Sequence, residues 1–190
     1  MKRINQKCVF LDRDGVINVH DGYCTDPKSF ILLEGVPEAI KLLNENNYLV
    51  VVASNQGAIA RGLLTEQTLY EIHNKMKAQL AGHDAFVDAI YYCPHHPDGR
   101  IKELAFRCNC RKPMPGMLLE AAAKFNIDFS KSWLVGDSSS DVLAGQAVGV
   151  KTIKLPTTET TSDKSCNPNY KCKNLLEAVH YILLEMGEKS

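Results

Sequence analysis

The sequence predicts an α/β fold in which one parallel β-sheet is covered by helices. Two observations carry this prediction. Short apolar runs rich in β-branched residues alternate with stretches of helical period along the 190 residues, which suits parallel strands joined by helical crossovers. The residues with chemistry to offer fall mostly just after those runs, and the carboxyl ends of parallel strands are where such sheets bind ligands. The length fits one domain over 1–190, large enough to bury a full core without disulfides.

The strands are predicted near Cys8–Leu11, Tyr48–Ser54, Ala89–Tyr92, Ser132–Val135 and Thr152–Leu155. The first helix, Pro37–Asn46, opens with a proline in its first turn, where a missing N–H costs nothing. Thr65–Leu80 and Ser140–Val148 follow, with Thr65 and Ser140 as their N-caps. Pro115–Phe125 and Leu175–Met186 complete the helices. The stretch Pro156–Lys173 is polar, rich in Thr and Ser, and reads as a loop. Its Cys166 and Cys172 have no nearby His or paired cysteine motif, so free surface thiols are expected. There is no internal repeat, low-complexity tract or interdomain linker.

Hydrophobic residues make up 45% and charged residues 23%, both ordinary for a globular chain. Lys plus Arg and Asp plus Glu are 22 each. That balance argues against a nucleic-acid partner, which needs a basic excess on some face, but leaves a small anionic substrate open. No run reaches the length of a membrane span, and Met1–Gln6 leads into a strand rather than an apolar signal. The expectation is a cytoplasmic protein with reduced thiols, in which seven cysteines are unpaired or four of them hold a metal.

Four stretches carry chemistry. The first is Phe10-Leu11-Asp12-Arg13-Asp14-Gly15, directly after the first strand. In extended backbone, residues two apart share a side, so Asp12 and Asp14 should converge while Arg13 faces away. Two such carboxylates repel, which favours a divalent cation or a retained proton; a solvated turn with two acids is the plainer reading. The second is Ala53-Ser54-Asn55-Gln56-Gly57, whose hydroxyl and amides can donate to phosphate oxygens or simply form a polar turn. The third is Arg111-Lys112-Pro113. Lys112 precedes proline and is biased away from helix, so its ammonium can neutralise a phosphate while Arg111 grips another bidentately. The fourth is Leu134-Val135-Gly136-Asp137-Ser138-Ser139-Ser140-Asp141. There Asp137 is a hard oxygen ligand suited to Mg²⁺, and Asp141 suits the first turn of a helix for its charge alone.

In this order the four stretches resemble the haloacid-dehalogenase (HAD) phosphatase superfamily, over nearly the whole chain up to about Leu155. The resemblance implies a single Rossmann-like parallel sheet with helices on both faces. It also implies the roles. Asp12 attacks phosphorus and becomes an aspartyl phosphate; Asp14 protonates the leaving alkoxide and then activates water. Ser54 and Lys112 hold the phosphoryl group, and Asp12, the Asp14 carbonyl oxygen and Asp137 hold Mg²⁺. The physics agrees, because phosphate monoester hydrolysis needs up to ~10²¹-fold acceleration and depends on positioning and charge neutralisation.

Between the second and third stretches lie Cys93-Pro94-His95-His96-Pro97 and Cys108-Asn109-Cys110. Three thiols and an imidazole in two close pairs suit a structural Zn²⁺ held by Cys93, His95, Cys108 and Cys110, with His96 as an alternative ligand. The polar loop over about 93–110 has little to bury, so a metal would order it and fix the adjoining Arg111 and Lys112. Together these features are similar to a branch without a large cap domain that holds heptose bisphosphate phosphatases and histidinol phosphatases. His20-Asp21-Gly22-Tyr23, Gln56-Gly57-Ala58-Ile59-Ala60-Arg61-Gly62, Tyr91-Tyr92-Cys93-Pro94-His95-His96-Pro97 and Arg111-Lys112-Pro113-Met114-Pro115-Gly116-Met117 favour the heptose side.

On that resemblance His20, Asp21, Gly22, Tyr23, Ser54, Asn55, Gln56, Gly57, Arg111, Lys112 and Ser138 form the sugar-phosphate site. The implied reaction removes the 7-phosphate of a heptose 1,7-bisphosphate, in nucleotide-heptose precursor synthesis for lipopolysaccharide, by a monomer with no nucleic-acid or membrane partner. The family often has Lys where Ser138 stands, which shifts charge recognition towards Arg111. The rivals are a histidinol-phosphate phosphatase and a zinc-stabilised binding module without catalysis.

Overall fold

The computed structural model of the chain describes residues 5–19, 22–157 and 166–187. Six parallel strands form one sheet in the order β3-β2-β1-β4-β5-β6. They are β1 (Cys8–Leu11), β2 (Leu49–Asn55), β3 (Ala89–Cys93), β4 (Trp133–Gly136), β5 (Lys151–Lys154) and β6 (Tyr170–Lys171). Between and after them run α1 (Val36–Glu45), α2 (Glu66–Ala81), α3 (Gly116–Phe125), α4 (Ser139–Val148) and α5 (Leu175–Gly187). The predicted α/β architecture is therefore the observed one, with most boundaries moved by one residue.

The strand residues alternate between two cores. Val9, Leu11, Val50, Val52, Trp133 and Val135 join a cluster with apolar residues of α1, α2 and α5, such as Ile40, Ile72 and Val179. Cys8, Phe10, Val51, Ala53 and Leu134 face a second cluster with Met117, Leu118 and Ala121 of α3. Burial on both faces is why these strands read as continuous apolar runs. Among the described residues, neither the connection from β1 to β2 nor that from β3 to β4 builds a separate cap domain. Among the described residues no helix is long and apolar enough to cross a membrane.

Three local expectations need correction. Thr65 does cap α2, accepting from the Thr68 N–H at 3.0 Å, but α4 is capped by Ser138 rather than Ser140. The Asp141 carboxylate accepts from the Ser138 N–H at 3.0 Å and its hydroxyl at 2.5 Å, which starts the helix one residue early. The stretch Pro156–Lys173, expected as loop, contributes β6. Asn169 Oδ1 accepts from the Thr152 N–H at 2.8 Å, and Tyr170 packs between Trp133 and Tyr181 with ring centroids 5.9 and 4.1 Å away. Cys172 is not a surface thiol either: it is half-buried against the larger core, and Cys166 is also half-buried.

The sheet order sets the position of the site. β1 lies between β2 and β4, so the winding direction reverses there and a crevice opens at the carboxyl ends of β1 and β4. The first and fourth chemical stretches leave the sheet at that point.

Candidate active site

Asp12 is the first residue beyond β1, and its N–H still donates to the Val135 carbonyl of β4 at 3.0 Å. This tie places it beside Asp137, the first residue beyond β4. Carboxylate oxygens of Asp12, Asp137 and Asp141 lie within 4.8 Å of one another. Two glycines permit the approach. Gly15 has φ +78°, and a Cβ there would lie 2.2 Å from Asp137 Oδ2. A Cβ on Gly136 would lie 2.2 Å from the Asp141 Cβ.

Three converging carboxylates need a cation, and Lys112 supplies one. Its Nζ lies 3.0 Å from Asp12 Oδ1 and 2.5 Å from Asp141 Oδ1, and donates to the Ala53 carbonyl at 2.6 Å. Asn55 fixes this lysine from β2: its Nδ2 donates to the Lys112 carbonyl at 3.0 Å and its Oδ1 accepts from the Lys112 N–H at 2.9 Å. Burial alone would lower the lysine pKa, but the Asp12 and Asp141 carboxylates outweigh it and raise it, so the ammonium stays charged. For Asp12, burial dominates and lifts the pKa to about 6, opposed by Lys112 and reinforced by Asp141 and Asp14. The all-oxygen trio suits a hard divalent cation. Octahedral Mg²⁺ at about 2.1 Å from its ligands sets neighbouring oxygens about 3 Å apart and opposite ones about 4 Å apart.

Asp14 shares the cleft but has different partners. Arg13 does not face away from it: its Nη2 donates to both Asp14 oxygens at 2.9 Å and its Nε to Oδ1 at 3.2 Å. The alternation fails because the strand ends at Leu11 and the chain then turns. Asn18 Nδ2 donates to Asp14 Oδ1 at 3.0 Å, and Gln56 Nε2 donates to Oδ2 at 3.0 Å and to Ser54 Oγ at 2.9 Å. Burial would raise the Asp14 pKa, but the Arg13 guanidinium and these hydrogen bonds bring it below the ordinary carboxylate value. Arg13 is itself fully buried, with Gln56 Oε1 accepting from Nη2 at 3.2 Å and His73 Nε2 lying 3.4 Å from Nη1.

The cleft above these groups encloses about 200 Å³, and its walls include Asp12, Asp14, Tyr23, Ser54, Arg111 and Asp137. Gly22, Asn55, Gln56 and Ser138 of the predicted substrate set also line it. Gly57 is buried behind the wall, leaving room for His96 and Arg111. Lys112 lies beneath the wall at the carboxylates. His20 and Asp21 lie outside the described residues. Sequence reasoning left Asp141 without a site role; its signal was the acid four residues after Asp137, beside the small Gly136.

Beside the cleft, Cys93, His95, Cys108 and Cys110 come together within 4.8 Å. The Sγ–Sγ separations are 3.4 Å for Cys93–Cys108, 3.2 Å for Cys108–Cys110 and 3.2 Å for Cys93–Cys110. The His95 Nδ1 lies 3.6 Å from Cys93 Sγ and 3.3 Å from Cys110 Sγ. These are far longer than a disulfide of about 2.05 Å. They approach the S···S edge of about 3.8 Å implied by tetrahedral Zn–S bonds near 2.3 Å. Of the two histidines, His95 is the one that joins this cluster. His96 instead accepts from the Asp98 N–H at 3.0 Å through Nδ1 and faces Arg61 Nη2 at 3.2 Å through Nε2. The same Cys/His loop also holds Arg111, whose Nη1 donates to the His95 carbonyl at 3.2 Å.

Residues 109–178 match the HAD-hydrolase-like family model. The chain is 38% identical over 174 residues to a D-glycero-β-D-manno-heptose-1,7-bisphosphate 7-phosphatase of Pasteurella multocida, covering 90% of this chain and 94% of the relative. The Escherichia coli K12 protein of the same name is 44% identical over 144 residues, covering 76% of this chain and 75% of the relative. The structure is similar to that of a D,D-heptose 1,7-bisphosphate phosphatase from B. bronchiseptica complexed with magnesium and phosphate. That match has a TM-score of 0.83 and 34% identity, and covers 95% of this chain and 99% of the other.

Proposed function

Because the chain belongs to the D-glycero-β-D-manno-heptose-1,7-bisphosphate 7-phosphatase family, we propose that it hydrolyses the 7-phosphate of that sugar bisphosphate and releases heptose 1-phosphate. It is a phosphatase of the HAD type, and its product belongs to the heptose precursors of lipopolysaccharide. The observation that carries the reading is the convergence of Asp12 with Lys112, Asp137 and Asp141 under a cleft that Arg111 also lines. One end offers a nucleophile among cation-binding groups; Arg111 offers a planar fork for a second phosphate.

In this reading an Asp12 oxygen attacks phosphorus and the bond to the sugar 7-oxygen breaks. Asp14 passes a proton to that oxygen, and an aspartyl phosphate remains. Asp14 then takes a proton from water, whose oxygen attacks phosphorus and expels the Asp12 carboxylate. Inorganic phosphate leaves, and both residues return to their starting states. The low pKa of Asp14 suits the second, basic step. For the first, the negative charge of a docked phosphoryl group beside Asp14 raises its pKa towards the protonated form. Ser54 Oγ and Lys112 Nζ hold phosphoryl oxygens in place. Mg²⁺ on Asp12, Asp137, Asp141 and the Asp14 carbonyl would neutralise charge on those oxygens.

Zn²⁺ on Cys93, His95, Cys108 and Cys110 belongs to the same reading, as a brace for Arg111 rather than a participant in chemistry. So do one domain over 1–190, a cytoplasmic location and a monomer acting on a small molecule. The test is a comparison of kcat/KM for heptose 1,7-bisphosphate, heptose 7-phosphate and histidinol phosphate under magnesium. The bisphosphate should be fastest by at least tenfold. Faster turnover of histidinol phosphate would transfer the assignment, and no turnover of any ester would leave a binding module.

A further inference from the structure

We propose that Arg61 and His96, together with Arg111, form the seat of the substrate's second phosphate. The inference rests on the bisphosphate reading above and adds two residues to it. It starts from two donors that face each other without an acceptor among the described residues. The Nδ1 of His96 accepts the Asp98 N–H at 3.0 Å, so the neutral ring carries its proton on Nε2. That Nε2 lies 3.2 Å from Arg61 Nη2, and a guanidinium nitrogen can only donate. Two N–H groups therefore point into one space. The Nε of Arg61 is also buried and has no hydrogen-bond partner among the described residues. The exposed Asp98 carboxylate does not supply the acceptor, since it lies 3.9 Å from Nδ1 on the other edge of the ring. An oxyanion satisfies all three donors at once.

The surroundings connect this space to the cleft. A Cβ on Gly57 would lie 3.0 Å from His96 Cδ2 and 3.3 Å from Arg111 Nη1, so the imidazole and the second guanidinium flank one small residue. The Arg61 guanidinium carbon sits 6.0 Å from the centre of the Tyr23 ring, and Tyr23 and Arg111 both line the cleft. A phosphate entering beneath Tyr23 meets Arg111 from one side and Arg61 with His96 from the other. Two planar forks and an imidazole N–H favour a multiply charged oxyanion over a sugar hydroxyl. The residue after Asp137 is Ser138, which brings no cation to the cleft, so the guanidiniums carry the recognition of charge.

The test compares wild type, Arg61→Ala and Arg61→Lys on heptose 1,7-bisphosphate and heptose 7-phosphate, with circular dichroism to confirm folding. Losing a charge-assisted hydrogen bond reduces kcat/KM by roughly ten- to a hundredfold. Arg61→Ala should show that loss on the bisphosphate, mostly in KM, and at least fivefold less on the 7-phosphate. Arg61→Lys should recover part of it, because charge returns without the fork. The inhibition constant of heptose 1-phosphate should rise by a similar factor. Equal losses on both esters, or none on either, would overturn the role of Arg61. A wild type that does not distinguish the two esters would overturn it together with the bisphosphate reading, which separates the two failures.

Discussion

Replacing Asp141 tests how the fold and the site depend on one buried charge. Asp141 is fully buried; one oxygen pairs with Lys112 at 2.5 Å and the other accepts from Ser138. Removing one partner of a buried ion pair costs about 3–5 kcal/mol, because the other charge stays behind. Lys112 retains Asp12 at 3.0 Å and the Ala53 carbonyl at 2.6 Å, which places the pair near the lower end, at about 3 kcal/mol. Loss of the α4 cap adds about 1 kcal/mol. Asp141→Ala should therefore destabilise by about 4 kcal/mol, or lower Tm by about 8–16 °C for a chain of this size. Urea unfolding at pH 7.5 with magnesium omitted measures it. Adding Lys112→Met should cost less than the sum of the single changes, since no unpaired charge is then left. A single variant within 1 kcal/mol of wild type, or strict additivity in the double, would show that Asp141 and Lys112 are not coupled as a buried ion pair.

Asp12→Asn should abolish turnover and leave the fold unchanged, since an amide cannot form the covalent intermediate; activity within tenfold of wild type would contradict the nucleophile assignment. Burial holds Asp12 near a pKa of about 6, so protons compete with Mg²⁺ below that value. At pH 5 about one carboxylate in ten is ionised, and calorimetry should find magnesium binding about tenfold weaker than at pH 7.5; a flat profile would contradict the ligand role. Elemental analysis of metal-replete protein should give about one zinc per chain, reduced in Cys108→Ser; absence of zinc from the wild type would remove the Cys₃His assignment.

The parts legible in the sequence were those with a local signature. Strands buried on both faces produce apolar runs, and Asp12, Ser54 and Asp137 follow such runs directly. Lys112 was marked by its motif, but its position between Asp12 and Asp141 depends on a loop that Asn55 pins from β2. Asn55 was read as a substrate contact; it lines the cleft, and both ends of its amide also hold the Lys112 backbone. Arg13 was misread because period-two alternation was carried past the last residue of β1. The two residues of β6 are too few to show a period, and its pairing is fixed by Asn169 and the Tyr170 ring. Spacing alone does not choose between the two histidines of the Cys/His loop. The choice depends on Asp98 and Arg61 engaging His96, contacts that exist only after folding.

The heptose bisphosphate carries two phosphates, and the 7-phosphate is the one that should leave. Phosphorus NMR of heptose 1,7-bisphosphate during turnover resolves the primary ester at carbon 7, the anomeric ester and free phosphate. The primary-ester signal should disappear as one equivalent of inorganic phosphate forms, while the anomeric signal persists. Loss of the anomeric signal first, or of both signals at equal rates, would contradict removal of the 7-phosphate.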